Sequence, residues 1–171
     1  MNWLEKIDFM IDEKQRAGYG GLYIIDIRYR ENTWSPNELE SIIANDNWLP
    51  KTYIEFIKKY DNIGIAWVTF YGSEAGNIIP LGKEIAYLRS EGLGQEYFPF
   101  GKGPGGEIYA FNKSNQVIEF ACDDYEFESP KIMADSLEKF INECLLGKRY
   151  SEFNSIENDR FYQFLQHQGW V

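Results

Sequence analysis

The chain has 171 residues, 44% hydrophobic and 17% aromatic, with a formal net charge of -10. That content is too apolar for a disordered chain and suffices for one domain with a sizeable core. The charge argues against duplex nucleic acid as a direct ligand, because such binding rests on Lys and Arg neutralising phosphates; it suits a basic protein partner.

From the N-terminus, Trp3, Leu4, Ile7, Met10 and Ile11 fall on one helical face, so Trp3 to Arg16 is expected to be an amphipathic helix stopped by Gly18, Gly20 and Gly21. Tyr23 to Tyr29, rich in Ile and Tyr, predicts a strand. Ser35-Pro36-Asn37-Glu38 starts a helix, with Ser35 as cap, Pro36 in the first turn and Glu38 closing a capping box, and it should end near Asn45 to Asn47. Pro50 opens another, with Tyr53, Phe56, Ile57 and Tyr60 on one face and Gly64 ending it.

Ala66 to Tyr71 and the shorter Asn77 to Leu81 are expected strands, and Lys83 to Arg89 a short helix. Glu107 to Phe111 and Val117 to Ala121 flank a polar link, Asn112 to Gln116, which makes them the clearest hairpin. Their near-continuous apolar character implies a sheet covered on both faces. Asp135 to Leu146 is a strong helix with its stripe at Leu137, Phe140, Ile141, Cys144 and Leu145 and with Gly147 at its C-terminal end. Asn154 or Ser155 caps a last helix through Phe161, Phe164 and Leu165. Helices, then strands, then helices, without regular alternation, give an α+β class: one domain with a mainly antiparallel twisted sheet flanked by helices.

No apolar run approaches the ~20 residues that span a bilayer. Met1-Asn2-Trp3-Leu4-Glu5-Lys6 lacks a basic start, an apolar block and a cleavage site, so a cytoplasmic location without membrane contact is expected. Two cysteines, Cys122 and Cys144, sit in apolar surroundings and fit buried reduced thiols.

Little in the chain points to catalysis. The one histidine, His167, lies near the C-terminus and cannot build a triad or a histidine metal motif with the usual parts. Gly101-Lys102-Gly103-Pro104-Gly105-Gly106 leads into a strand, whereas a phosphate loop or dinucleotide fingerprint leads into a helix, so it is a tight turn. Asp123, Asp124, Glu126 and Glu128 lack the central Gly of a calcium loop. The expectation is a non-enzymatic protein with no cofactor and no metal. Tyr53, Phe56, Phe111, Phe120 and Phe140 are core candidates. Trp34, Trp48, Trp67, Tyr71, Tyr97, Tyr125 and Phe127 sit at element ends or in loops, where an aromatic more often packs locally and otherwise serves as an interface anchor.

In order, Trp34, Ser35-Pro36, Leu49-Pro50, Tyr53, Phe56, Asn62, Gly64, Phe98-Pro99-Phe100-Gly101, Gly105-Gly106, Tyr109, Phe111, Val117, Ala134, Ser136 and Phe140 resemble the SUKH superfamily. That superfamily takes in fungal cell-wall regulators of the Smi/Knr type and many bacterial immunity proteins. The resemblance covers about Trp34 to Leu146. It departs at Asn62-Ile63-Gly64, where the family often has Asn-Gly-Gly. It implies a binding scaffold, with 34–147 as the SUKH-like domain, 1–33 a helix-and-strand extension packed on it, and 148–171 a helical extension.

For bacterial members the implied role is to bind and neutralise a toxin, frequently a nuclease. The expected partner is therefore a basic toxin domain, with no direct nucleic acid. The alternatives are a regulatory scaffold with several protein partners and a small-molecule-binding or hydrolytic enzyme with a carboxylate cleft. Glu119 to Glu143 carries eight acids against two bases, Lys131 and Lys139. This makes Asp123, Asp124, Tyr125, Glu126 and Glu128 candidate contacts, with Trp67, Tyr71 and Glu74 as a second group. The competing account of the acids is a solvated face that aids solubility.

Overall fold

The segments richest in β-branched and aromatic residues build one sheet. The computed structural model describes residues 1–18, 25–30, 33–75, 79–123, 126–127 and 129–171. The strands are β1 (Ile27–Arg30), β2 (Asp61–Ile65), β3 (Val68–Phe70), β4 (Tyr97–Lys102), β5 (Ile108–Asn112), β6 (Val117–Phe120) and β9 (Lys131–Ala134). They lie in the order β1-β2-β3-β4-β5-β6-β9, and every pairing is antiparallel. Two short strands, β7 (Cys122–Asp123) and β8 (Glu126–Phe127), pair with each other apart from the sheet. The fold is α+β, as the element order implies. The β5–β6 hairpin forms where the sequence places it, with Phe111 opposite Val117.

Helix α1 (Trp3–Ala17) begins with a reciprocal box: Asn2 accepts from the Glu5 N–H at 3.0 Å and the Glu5 carboxylate accepts from the Asn2 N–H at 2.7 Å. Helix α2 (Pro36–Asn45) is capped by Ser35, but the expected box does not close. The Glu38 carboxylate instead accepts the backbone N–H of Glu74 at 2.9 Å and ties the helix start to a distant loop. Helix α3 (Lys51–Lys59) buries Tyr53, Phe56 and Ile57. It ends at Tyr60 and not at Gly64, which lies inside β2 opposite Arg28. A Cβ at Gly64 would sit 2.6 Å from Arg28 Nε, so the glycine leaves room for the guanidinium to cross the sheet.

Helix α4 (Leu81–Ser90) starts two residues before the expected position. Leu81 is thus helical. Pro80 makes an isolated bridge to Gly72, and Asn77 and Ile78 of the expected strand lie outside the described residues. Of the Tyr23 to Tyr29 strand, Tyr23 and Ile24 also lie outside them. Ala66 and Trp67 belong to a turn, so the strand expected from Ala66 begins at Val68. Helix α5 (Leu137–Lys139) continues as a π-helical turn, Phe140–Leu145, followed by a 3₁₀ turn at Tyr150–Glu152. Gly147 is not a left-handed cap: a Cβ there would lie 2.1 Å from the Asn142 carbonyl oxygen, and this close approach is what requires glycine. Helix α6 (Arg160–His167) is capped by Asp159, four residues beyond the expected Ser155, because the Asp159 carboxylate accepts from the Phe161 and Tyr162 N–H groups.

Both faces of the sheet are covered. The larger core joins Tyr53 and Phe56 of α3 to Phe70, Phe98, Phe100 and Phe111 of the sheet and to Phe140 of the π turn. Ring centroids stand 4.5 Å apart for Phe100–Phe111, 4.9 Å for Phe56–Phe70 and 5.0 Å for Tyr53–Phe111. Such pairs contribute roughly 0.5–1.5 kcal/mol beyond burial. On the other face, Leu88 of α4 packs on Ile108, Ala110, Ile118 and Phe120. The two ends of the chain join the larger core through Ile7, Met10 and Ile27 and through Tyr150, Phe161 and Leu165. They also meet each other: Phe9 and Trp170 rings lie 5.9 Å apart, and Lys6 Nζ sits 4.9 Å from the Trp170 centroid.

One polar knot is buried. Asp61, 1% exposed at the start of β2, accepts from Ser73 N (2.8 Å), Ser73 Oγ (2.7 Å), Thr33 N (3.1 Å) and the Thr33 hydroxyl. Burial pushes its carboxyl up, but the Ser73 and Thr33 bonds outweigh that and hold it below the usual carboxylate range. Gly72 is obligatory beside it, since a Cβ would lie 2.1 Å from Asp61 Oδ1.

Candidate partner-binding surface

The β2–β3 connection is the two-residue turn Ala66-Trp67, with Ala66 at φ +51, the left-handed value such tight hairpin turns demand. The turn carries Trp67 to the end of the hairpin. There, with β1 and the loop after β4, it encloses a cleft of about 330 Å³ lined by Asp26, Arg28, Trp67, Thr69, Gly103 and Pro104.

Trp67 is fixed on two sides. Its Nε1 donates to Tyr109 Oη at 3.0 Å, and Tyr109 Oη donates to Glu119 Oε2 at 2.8 Å. Its ring lies 5.6 Å from Tyr150 and 5.7 Å from Phe153. Burial, reinforced by Glu119, pushes the Tyr109 phenol far up, so it stays protonated and the relay keeps its direction at neutral pH.

Arg28 in the cleft wall and Lys14 close to Asp26 both donate to backbone oxygens. Arg28 Nη2 donates to Ala66 O at 3.2 Å. Lys14 Nζ donates to Ile25 O at 3.1 Å and to Ile27 O. Burial lowers the Lys14 pKa, and the Asp26 charge opposes the shift. Asp26 differs: among the described residues its side chain accepts no hydrogen bond. Asp26 is exposed at the rim of the cleft; partial desolvation there pushes its carboxyl up, Arg28 and Lys14 pull it down, and Asp159 adds to the upward push.

The sequence-predicted contacts separate. Trp67 is half-buried in the cleft wall. Tyr71 is 2% exposed within the larger core, so its side chain offers no contact surface, and that expectation is corrected. Its position at the end of β3 hid the burial, because a short strand end reads like a loop. Glu74 is exposed, but it follows β3 where Trp67 precedes it, so the two sit toward opposite ends of that strand. In the acidic group, Asp124, Tyr125 and Glu128 lie outside the described residues, and the backbones of Asp123 and Glu126 are register partners in the β7–β8 pair.

Among the other acids, Glu119 is turned inward to Tyr109, and Asp135 pairs with Lys139 at 2.8 Å, which lowers the Asp135 pKa. Glu143 is exposed. Sequence reasoning missed Asp26 and Arg28. Their signal was period-two alternation with Ile25 and Ile27, which sets the charged pair on the face opposite the two isoleucines.

The arrangement offers recognition more readily than chemistry. The Gly103–Gly106 loop is filled by Glu107, whose carboxylate accepts the Gly105 N–H at 3.0 Å and whose carbonyl accepts the Gly103 N–H at 2.9 Å. Burial pushes the Cys144 thiol up to about 11, which leaves it a poor nucleophile at neutral pH. Among the described residues no group of His, Cys, Asp and Glu is placed to hold a metal ion, and no helix is long and apolar enough to cross a membrane.

Residues 33–143 match the SMI1 / KNR4 family (SUKH-1), and the chain belongs to it. The family's domain is found in immunity proteins and in Smi1/Knr4, and is generally a non-enzymatic, protein-binding one. No curated protein matches the chain. Trp67, Thr69, Gly103 and Pro104 fall inside the matched region, and Asp26 and Arg28 fall outside it.

Proposed function

We propose that this SMI1 / KNR4 family chain is an immunity protein that binds and neutralises a basic toxin, such as a nuclease, without chemistry of its own. The observation that carries this reading is family membership joined to a net charge of -10, with acids crowded between Glu119 and Glu143. A nuclease must present cations to its substrate backbone. An acidic protein can occupy that surface and accelerate encounter through its field. Residues 34–147 are the binding domain in this reading, with 1–33 and 148–171 as packed extensions, and the cytoplasm is where the protein meets its toxin.

The contact set is Asp123, Asp124, Tyr125, Glu126 and Glu128, with Trp67 and Glu74 as further candidates. The test is a pull-down against the product of the adjacent gene, followed by association rates at rising salt. A one-to-one complex whose on-rate falls with salt supports the reading. Capture of several unrelated partners with no toxin among them supports a regulatory scaffold instead.

A further inference from the structure

We propose that the Asp26–Trp67 cleft takes a single arginine side chain, its guanidinium paired with Asp26 and lying against the Trp67 indole. The immunity reading supplies only the source of that arginine, a basic partner. The recognition chemistry stands on the cleft itself.

Size comes first. At about 330 Å³ the cleft is at the bottom of the range for small-molecule pockets and suits one long side chain. Hydrogen-bonding capacity comes next. Arg28 and Lys14 are tied to the Ala66, Ile25 and Ile27 carbonyl oxygens, whereas the Asp26 carboxylate accepts no bond among the described residues. The open acceptor of the cleft is therefore an anion, and it calls for a donor-rich cation. Of the charged residues, Asp26 and Arg28 line the cleft, and Asp159 and Lys14 act on Asp26 from nearby.

Rigidity selects arginine over lysine. The indole is held by the Tyr109–Glu119 relay on one side and by the Tyr150 and Phe153 rings on the other, so its face is fixed before any ligand arrives. A planar guanidinium can stack on that face and present two N–H groups to one carboxylate, which a compact ammonium cannot do. Arg28 lies across Gly64 and donates to Ala66 O, so its charge reaches Asp26 without a hydrogen bond between the two. Asp26 lies outside the matched family region and Trp67 inside it.

The test uses the full chain labelled with ¹⁵N, following the Trp67 indole N–H resonance, assigned with Trp67→Phe. It is titrated with acetyl-Gly-Arg-Gly-amide, and with the Lys, Gln and Glu analogues. The expected result is a saturable shift with the Arg peptide, weaker with Lys and absent with Gln and Glu. Asp26→Asn should weaken the Arg response about tenfold or more, Asp26→Glu should retain it, and Glu91→Gln, at an exposed helix end away from the cleft, should leave it unchanged. Dispersed spectra of each variant verify folding. A response to the Glu peptide equal to that for Arg would make Arg28 the recognising group and overturn the proposal, as would the absence of a saturable shift. These titrations need no toxin, so a failed toxin pull-down and a failed arginine site are separate results.

Discussion

Tyr53 should be more stabilising as phenylalanine. Its ring is fully buried and packs 5.0 Å from Phe111, 5.7 Å from Phe98 and 6.1 Å from Phe100. Its hydroxyl has no hydrogen-bond partner among the described residues. Burying such a group costs roughly 1–3 kcal/mol that the unfolded chain, with its hydroxyl in water, does not bear. Tyr53→Phe keeps the ring contacts and removes that cost, so a gain of about 1 kcal/mol is expected after relaxation of the site.

For a domain of this size that is roughly a 2–4 °C rise in Tm. Denaturant unfolding should show a higher midpoint with an unchanged slope. Tyr109→Phe is the counterpart. Its hydroxyl has both a donor, Trp67, and an acceptor, Glu119, so the same chemical change there should lose about 1–2 kcal/mol. A loss of more than about 1 kcal/mol from Tyr53→Phe would refute the reasoning, because it would mean the hydroxyl has a partner in solution.

Asp61→Asn should lose about 2–4 kcal/mol by disrupting a carboxylate that satisfies the Ser73 and Thr33 donors. Because the folded pKa of Asp61 is depressed, its contribution is full above the unfolded value of ~3.9 and disappears as pH falls through the lower folded value. Urea midpoints from neutral pH to below pH ~3.9 should therefore fall less steeply for the Asn variant. Gly147→Ala sets a Cβ against a backbone oxygen at 2.1 Å and should cost several kcal/mol or prevent folding, read by circular dichroism on heating. Asp124→Lys with Glu126→Lys should weaken toxin binding about tenfold or more while moving the melting temperature by only a degree or two; unchanged affinity would remove the acidic loop from the interface.

Elements announced by local chemistry were legible. Ser35 marks a helix start because a cap is decided by its own side chain, and the β5–β6 hairpin shows because two apolar runs flank a polar link. What escaped depended on distant partners. Glu38 was diverted from its cap by the Glu74 N–H, 36 residues away in sequence. Gly64 looked like a helix stop, but it serves the passage of Arg28 from a strand far upstream. Gly147 looked like a left-handed cap and is a close-contact glycine beside a π turn. The cleft was hidden for the same reason: Asp26 and Trp67 are brought together only by the pairing of β1 with β2. The acidity of Glu119 to Glu143 was plain from composition, yet Glu119 serves the interior, a role fixed by Tyr109 across the β5–β6 pair.

The most direct test of the central claim is growth of cells expressing the adjacent gene's product as the proposed toxin, with and without this protein, alongside the Asp124→Lys/Glu126→Lys variant at matched abundance. The account predicts restored growth with the wild-type chain and weaker protection with the charge-reversed one. Toxicity that persists in the presence of abundant, folded wild-type protein would contradict it.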